Sequence, residues 1–427
     1  MNKLLLANAR ILNPSSNLDI ENGWLLIENG KIADFGSGKS NETGLETIDC
    51  DGKCLSAGLV DIHVHLREPG QEYKETIASG TRAAVAGGVT SIACMPNTKP
   101  VIDDPAIVEF INKKAAEEGT AHVYTFAAMT TGLNENKITE MGLLKEAGVV
   151  GFTNDGLPLM NAGTMRKVMS YASVLGLMVA QHAEDLHLTG DGVMNEGAVS
   201  TKLGLQGIPN ASEVVMIERD IRILELTGGH YHVQHISTAE GVDAIRQAKK
   251  RGLHITCEAT PHHFTLTDEA IGEYKTFAKM SPPLRSEADR LAVIEGLRDG
   301  TIDAIATDHA PHDVESKRVP FDVAACGIVG LETMLPLALE LYHNGEIPLL
   351  DLLGAMTYKP ADLINIPAGR IENGAVADLV LFDLDKEWTV DITKFKSKSY
   401  NSPFDGRKVK GMVMKTIVDG KVVYEEN

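Results

Sequence analysis

Two histidines separated by one residue, His63 and His65, are the first feature of this 427-residue sequence that could do chemistry. They end the apolar run LVDIHVH (59–65), which has the composition of a buried β-strand. Because side chains alternate along a strand, both imidazoles lie on one face, roughly 6.5–7 Å apart. Two imidazoles on one face can bind the same metal ion.

Further residues of metal-ligand type stand at the ends of other apolar runs. Asp155 follows the run GVVGFTN (148–154), and His182, His235 and Asp308 end three later runs. Imidazole and carboxylate suit zinc, with manganese, iron or cobalt as alternatives in vitro. Six ligands are too many for one tetrahedral zinc ion. The sequence therefore predicts two metal ions that share a carboxylate and a hydroxide.

The centre of the chain contains eight such runs, with amphipathic helical segments between them. The runs are LVDIHVH (59–65), TSIACM (90–95), VYTFAAM (123–129), GVVGFTN (148–154), LMVAQH (177–182), HYHVQH (230–235), LHITCE (253–258) and DAIATD (303–308). Eight strand–helix units in about 250 residues predict an α/β fold, a (β/α)₈ TIM-type barrel, with a doubly wound open sheet as the alternative. In either fold the active site lies at the carboxyl ends of the strands, where the ligand-type residues stand.

The two ends of the chain are β-rich and carry turn signals. Asn29-Gly30 and Asp419-Gly420 each lie between strand-like pieces and predict hairpins. Neither end has enough apolar surface for a stable core of its own. We therefore expect a small β-sandwich domain built from residues 1–54 and 362–427, beside a barrel formed by residues 55–361.

Composition and charge exclude several classes of protein. Hydrophobic residues make up 43% and charged residues 23% of the chain, as in ordinary soluble globular proteins. The net charge of −19 argues against a nucleic-acid or anionic-membrane partner. No apolar run reaches 18 residues, and the start MNKLLLANARILNP lacks a signal-peptide core. The 5 cysteines, few and odd in number, indicate a reducing compartment, so we expect a cytoplasmic location.

Five motifs resemble those of the dihydroorotase family in the amidohydrolase superfamily, and the resemblance runs over nearly the whole chain. They are DIHVHLREPG (61–70), MPNT (95–98), TNDG (153–156), TDHAPH (307–312) and GIVGLET (327–333). The first and fourth are highly specific when they occur together. The resemblance implies a (β/α)₈ barrel and the reversible cyclisation of N-carbamoyl-L-aspartate to L-dihydroorotate, a step of de novo pyrimidine (UMP) biosynthesis.

The same resemblance implies roles for the ligand-type residues. It assigns His63, His65 and Asp308 to one zinc ion and His182 and His235 to a second, with Asp155 between the two. Asp308 would also be the catalytic residue that moves the proton. Many members of the superfamily bridge their metals with a carboxylated lysine on strand four, but this run has none. Asp155 resembles the substitute found in one dihydroorotase subtype.

Substrate contacts are implied as well. The residues in question are His65, Arg67, Asn97, Ser281, His312, Cys326 and Gly327. Arg67, Asn97 and His312 would hold the substrate carboxylate, since a planar guanidinium binds that group bidentately. Cys326 and Gly327 would line the ring through backbone groups.

Two other functions stay open from the sequence. Ser281 stands where family members often have asparagine, and hydantoinases have serine there, so a hydantoinase-like or allantoinase-like amidohydrolase is one alternative. The other is a non-catalytic dihydroorotase-like partner of aspartate transcarbamoylase, although such proteins lose metal ligands and this chain keeps all six. We expect a homodimer, with aspartate transcarbamoylase as a candidate partner.

Overall fold

The computed structural model describes residues 3–134 and 137–426, and it begins with five strands. These strands are β1 (Lys3–Asn13), β2 (Leu18–Glu28), β3 (Lys31–Ser37), β4 (Glu46–Asp49) and β5 (Cys54–Ala57). β2 and β3 form the first predicted hairpin, in which Asn29 and Gly30 have φ angles of +53° and +80°. Asparagine and glycine tolerate this left-handed region best, which is why the pair makes a tight turn.

The central strands follow the predicted apolar runs. They are β6 (Leu59–Val64), β7 (Val89–Cys94), β8 (His122–Ala127), β9 (Gly151–Thr153), β10 (Met178–Gln181), β11 (Met194–Asn195), β12 (Gly207–Ile208), β13 (His230–Val233), β14 (Ile255–Ala259) and β15 (Ala304–Ile305). β11 and β12 pair with each other, and the other eight form a parallel sheet in chain order. A parallel bridge between Val64 and His309 joins the last strand region to the first. The predicted (β/α)₈ barrel is therefore confirmed.

Helices connect the strands and cover the barrel. They are α1 (Ile77–Ala86), α2 (Pro105–Glu118), α3 (Met141–Glu146), α4 (Ala162–Leu175), α5 (Leu186–Thr189), α6 (Ala198–Leu203), α7 (Ala211–Thr227), α8 (Ala239–Lys250), α9 (Pro261–Thr265), α10 (Glu287–Arg298), α11 (Val314–Lys317), α12 (Met334–His343), α13 (Leu349–Gly354) and α14 (Tyr358–Leu363). In α8, Val242, Ile245 and Ala248 are buried, and their spacing places them on one helical face against the sheet. Within the described ranges, no helix is both long and apolar enough to cross a membrane.

Three further strands close the β-rich domain. They are β16 (Leu379–Thr389), β17 (Lys408–Val418) and β18 (Lys421–Glu425). β16 pairs antiparallel with β5, so the two ends of the chain share one sheet in the order β18-β17-β16-β5-β1-β2-β3, with β4 beside β1. β17 and β18 form the second predicted hairpin. The β-rich domain from both chain ends is confirmed, and its strands belong to one hydrogen-bonded sheet.

The connection between β16 and β17 leaves this sheet and crosses to the carboxyl end of the barrel. There Nδ2 of Asn401 donates to the carbonyl oxygens of Ala310 and Gly327, at 3.0 and 2.9 Å. Its Oδ1 accepts the N–H of His312 at 2.9 Å. Part of the region assigned to the small domain thus contacts the loop after β15, and the domain boundaries at residues 54 and 362 stay a prediction.

Candidate metal centre and substrate pocket

His63 and His65 lie at the carboxyl end of β6, and both side chains are buried. Asp61 fixes this strand end, because its carboxylate accepts the N–H groups of His63 and Thr307, each at 3.1 Å. The Thr307 hydroxyl also donates to Asp61, at 2.5 Å. These bonds tie the end of β6 to the segment that leads into Asp308. The first and last strands are therefore held in a fixed relation at the barrel mouth.

Asp155 lies among the four histidines that the sequence singled out. Its Oδ1 is 3.3 Å from Nε2 of His63, 3.6 Å from Nε2 of His235 and 4.0 Å from Nδ1 of His182. Its Oδ2 is 3.3 Å from Nε2 of His65. Burial would raise the pKa of Asp155, but the nearby positive charges of His63 and His65 hold it well below its usual value. An ionised carboxylate in this position can serve two neighbouring cations at once.

The sixth predicted ligand, Asp308, lies beside His63 and His65. Its Oδ1 is 3.0 Å from Nε2 of His65 and 3.5 Å from Nε2 of His63. Burial opposes its ionisation, but the charge on His63 and the bond to His65 lower the pKa of Asp308 below its ordinary value. On the other side, Nδ1 of His182 lies 2.8 Å from Nε2 of His235. The structure thus brings all six predicted ligands together.

Among the described residues, three buried polar atoms of this group have no hydrogen-bond partner. They are Nε2 of His63, Oδ1 of Asp155 and Nδ1 of His235. A buried polar atom without a partner is costly, and a bound cation would satisfy Nε2 of His63 and Oδ1 of Asp155. Among these six residues, two sets of ligand atoms are close enough for one ion each, namely His63 with His65 and Asp308, and His63 with Asp155 and His235. This mixture of imidazole and carboxylate donors fits zinc.

Two glutamates that the sequence analysis missed hold one histidine on each side of the group. Oε1 of Glu258 is 2.5 Å from Nδ1 of His63, and Oε2 of Glu184 is 3.0 Å from Nε2 of His182. Each glutamate accepts the ring N–H, so the lone pair of the other ring nitrogen is directed toward Asp155. Glu258 ends the run LHITCE, so the strand-end position that identified the other ligand-type residues could have identified it, but its contact with His63 is a long-range feature.

His262 is not one of the six predicted ligands, since its place beyond a strand end in ATPHHFT indicates a loop residue. It lies in α9, directly after β14, and is 1% exposed, and its Nε2 has no hydrogen-bond partner in the part of the chain that the structure describes. Burial, followed by the charges on His263, His235 and His63, holds its pKa well below the ordinary value. A neutral imidazole therefore stands close to the ligand group. Its neighbour His263 has a structural role, since it bonds the Thr260 hydroxyl at 2.7 Å.

The residues predicted to hold a carboxylate lie beside the metal ligands. Nδ1 of His65 is 2.9 Å from Oδ1 of Asn97, and the Arg67 guanidinium is 3.4 Å from Nε2 of His312. Arg67 also donates to the Pro311 carbonyl oxygen at 3.2 Å. Burial lowers the pKa of Arg67 to about 10, so the guanidinium keeps its charge at neutral pH. Among the described residues no carboxylate forms an ion pair with Arg67, and its charge is available to an acidic ligand.

Ser281, Cys326 and Gly327 lie on loops that follow the last two barrel strands. Both backbone polar groups of Gly327 already have hydrogen-bond partners. Its N–H donates to the Lys279 carbonyl oxygen at 3.0 Å, and its carbonyl oxygen accepts from Asn401. A ring contact through Gly327 would therefore use the second lone pair of that carbonyl. Glycine is required here, since φ is +150° and a Cβ would lie 2.7 Å from both the Ala310 carbonyl oxygen and the His312 ring.

Comparison with known proteins agrees with this geometry. A family model described as Dihydro-orotase-like matches residues 52–241. The chain is 54% identical to the dihydroorotase of Wolbachia sp. subsp. Drosophila simulans, over 99% of this chain and 96% of that one. It is 49% identical to the dihydroorotase of Pelobacter propionicus, over 99% of both chains.

Solved structures give the same fold. The L-hydantoinase (dihydropyrimidinase) of Arthrobacter aurescens superposes with a TM-score of 0.90 at 27% identity, covering 100% of this chain and 97% of that one. The identity to curated dihydroorotases over almost the full length is far above what a shared barrel alone produces. The chain therefore belongs to the dihydroorotase family.

Proposed function

We propose that this member of the dihydroorotase family is a two-zinc cyclic amidohydrolase that interconverts N-carbamoyl-L-aspartate and L-dihydroorotate in pyrimidine biosynthesis. His63, His65 and Asp308 would hold one zinc ion, and His182 and His235 would hold the other. Asp155 would serve both ions. The observation that carries this proposal is the position of the Asp155 carboxylate, which faces all four histidines at 3.3–4.0 Å.

Zinc bound at these ligands would polarise the amide carbonyl and lower the pKa of water enough to supply hydroxide at neutral pH. Asp308 then acts as the base and acid of the reaction. In hydrolysis it takes a proton from the attacking water and delivers it to the ring nitrogen as the C–N bond breaks. In ring closure it takes the proton from the ureido nitrogen as the C–N bond forms and gives it to the departing carboxylate oxygen, which takes a second proton from solvent and leaves as water.

Arg67, Asn97 and His312 bind the carboxylate that both substrate and product carry. A bidentate guanidinium–carboxylate pair is short, charge-assisted and directional. Such a local cation is needed because the protein as a whole, with a net charge of −19, repels anions. Hydrogen bonding to Pro311 O and packing beside His312 hold the Arg67 side chain in place before a ligand arrives.

The ring of the substrate lies between this carboxylate site and the loops that carry Ser281, Cys326 and Gly327. Ser281 contacts the ring directly or through water, in place of the longer asparagine common in the family. The active form is a homodimer, and aspartate transcarbamoylase is a candidate partner. The protein acts in the cytoplasm.

The test is a substrate panel on protein whose zinc content per chain has been counted. We expect turnover of dihydroorotate and carbamoyl aspartate, and no comparable turnover of hydantoin or allantoin, which lack the carboxylate. Preference for hydantoin would favour the hydantoinase alternative. Metal-loaded protein that turns over none of these compounds would favour the non-catalytic alternative.

A further inference from the structure

Two lysines are buried beside the substrate pocket without an acidic partner. Lys279 is 5% exposed and Lys317 is 1% exposed, and no ion pair of either is found in the part of the chain that the structure describes. Burial lowers the pKa of Lys317 to about 7. Because a buried ammonium is costly, its hydrogen bonds must compensate for the lost hydration.

The Lys317 ammonium bonds to three backbone carbonyl oxygens. It donates to Ala325 at 2.6 Å, to Thr276 at 3.1 Å and to Lys279 at 3.3 Å. Ala325 belongs to the loop after β15, as does Lys317 itself, whereas Thr276 and Lys279 belong to the loop after β14. One side chain thus joins the two loops and also closes the second loop on itself.

Lys279 makes the reciprocal connection. Its ammonium donates to the carbonyl oxygens of Phe321 and Asp322, at 2.7 and 2.8 Å, so it reaches from the loop after β14 to the loop after β15. The Thr276 hydroxyl donates to Lys317 O at 2.6 Å. The two loops are therefore connected in both directions.

These loops form one wall of the substrate pocket. The first carries Ser281, two residues after Lys279, and the second carries His312, Cys326 and Gly327. Gly327 N–H donates to the carbonyl oxygen of Lys279, one of the acceptors of Lys317. The lysine contacts are thus continuous with the backbone beside His312 and Arg67.

We propose that Lys317 and Lys279 are positioning residues that lock the loops after β14 and β15 into a single wall, so that the carboxylate and ring of the substrate meet a preformed site. The inference rests on the proposed function. Neither lysine touches substrate, and both act through the backbone that holds His312, Gly327 and Ser281.

The two loops are locked because each lysine ammonium donates hydrogen bonds to backbone carbonyl oxygens of the other loop. Without the ammonium of Lys317, the Ala325 carbonyl oxygen loses its donor, and those of Thr276 and Lys279 keep their backbone N–H donors but lose the bond that joins the two loops. The loop after β15 can then reach other conformations of similar energy. Only molecules with the wall in place bind substrate well, so apparent affinity falls in proportion to that fraction. The six predicted metal ligands lie at the ends of the barrel strands, within three residues of them, and neither lysine bonds to any of them. We therefore expect them to be unaffected.

The test compares Lys317→Met with Arg318→Met, a matched change at the next residue, which is exposed. We expect Lys317→Met to raise KM for dihydroorotate roughly tenfold to a hundredfold, with kcat within about threefold of the parent value and zinc content unchanged. Arg318→Met should leave all three unchanged. Unchanged KM in Lys317→Met would overturn the proposal, as would an equal loss of kcat and zinc.

A double-mutant cycle separates a shared lock from two unrelated effects. Lys279→Met should raise KM as well, and the double variant should be little worse than the worse single variant, because either change opens the same connection. Fully additive effects would contradict the proposal. If Lys317→Met does not fold, Thr276→Val removes only the bond to Lys317 O and should raise KM by a smaller factor; no change there would also count against the lock. Failure of the parent protein to turn over dihydroorotate would instead defeat the proposed function.

Discussion

Nδ1 of His63 lies 2.5 Å from Oε1 of Glu258, and both side chains are almost completely buried. The second oxygen of Glu258 is 3.1 Å from Nε2 of His232, whose Nδ1 is 2.8 Å from the Thr256 hydroxyl. A chain of hydrogen bonds therefore continues from this predicted metal ligand into the barrel interior. It fixes the orientation of His63, with Nε2 directed toward Asp155 and Asp308.

We expect Glu258→Gln to weaken zinc binding about 10–100-fold, because the amide cannot accept the ring N–H as strongly and His63 loses its preferred tautomer. Competition with a chelator measures the affinity, and circular dichroism checks the fold. Glu269→Gln, an exposed change on the loop after β14, is the control. Zinc affinity equal to that of the parent protein would show that Glu258 does not orient His63.

Asp308→Asn should lower kcat by about 10²–10⁴-fold, because the amide keeps one metal-binding oxygen but cannot take up a proton. Zinc per chain, measured in the same preparation, should stay near the parent value. A kcat close to that of the parent enzyme with zinc still bound would rule out Asp308 as the proton carrier.

Arg67→Met should raise KM for carbamoyl aspartate about 10–150-fold, since each lost charge-assisted hydrogen bond costs roughly 1.5–3 kcal/mol. Zinc content should not change, because Arg67 is no ligand. Steady-state kinetics in both directions provide the measurement. If KM is unaffected, the carboxylate is bound elsewhere in the pocket.

A pH dependence of stability is expected from His122 at the base of the barrel. Its Nε2 is 3.1 Å from Asp378, and this hydrogen bond, only partly offset by burial, raises the pKa of His122 above 6.5. A raised pKa means that the folded state holds the proton more tightly. The stabilisation is therefore fully present below about pH 6.5 and is lost as the pH rises through the folded-state pKa.

His122→Gln should accordingly lower the unfolding midpoint in urea at pH 5.5 and have a smaller effect at pH 8.5. The pair is partly exposed, so the difference should not exceed about 1 kcal/mol. The difference in unfolding midpoint between variant and parent protein is taken at each pH, so that the effects of other titrating groups cancel. An equal effect at both pH values would mean that the pair contributes no charge-dependent stability.

The barrel and the ligand set could be predicted from the sequence because both depend on local pattern. The alternation of apolar runs and helical segments indicated eight strands, and a ligand-type residue at a strand end must face the barrel mouth in this fold. The turn pairs at Asn29 and Asp419 likewise express a local preference for positive φ. Such local signals can be interpreted without knowing which residues far away in the sequence will be in contact.

The parts that could not be predicted depend on contacts far apart in sequence. Glu258 reaches His63 across 195 positions, and Asn401 reaches the loop at His312 across 89. The sequence around Lys317 is polar and predicts an ordinary surface lysine. In the structure, however, Lys317 is buried and bonds to backbone carbonyl oxygens. No local pattern distinguishes a lysine that will be buried from one that stays in water.

Reconstitution of the apoprotein tests whether Asp155 bridges two metal ions. Zinc should be titrated into apoprotein in buffer stripped of carbon dioxide while dihydroorotate hydrolysis and bound zinc are followed together. Because an aspartate bridge is complete as translated, the account predicts full activity at two zinc ions per chain without bicarbonate, and Asp155→Ala should retain mainly one ion. A requirement for bicarbonate, or two tightly bound zinc ions in Asp155→Ala, would contradict it.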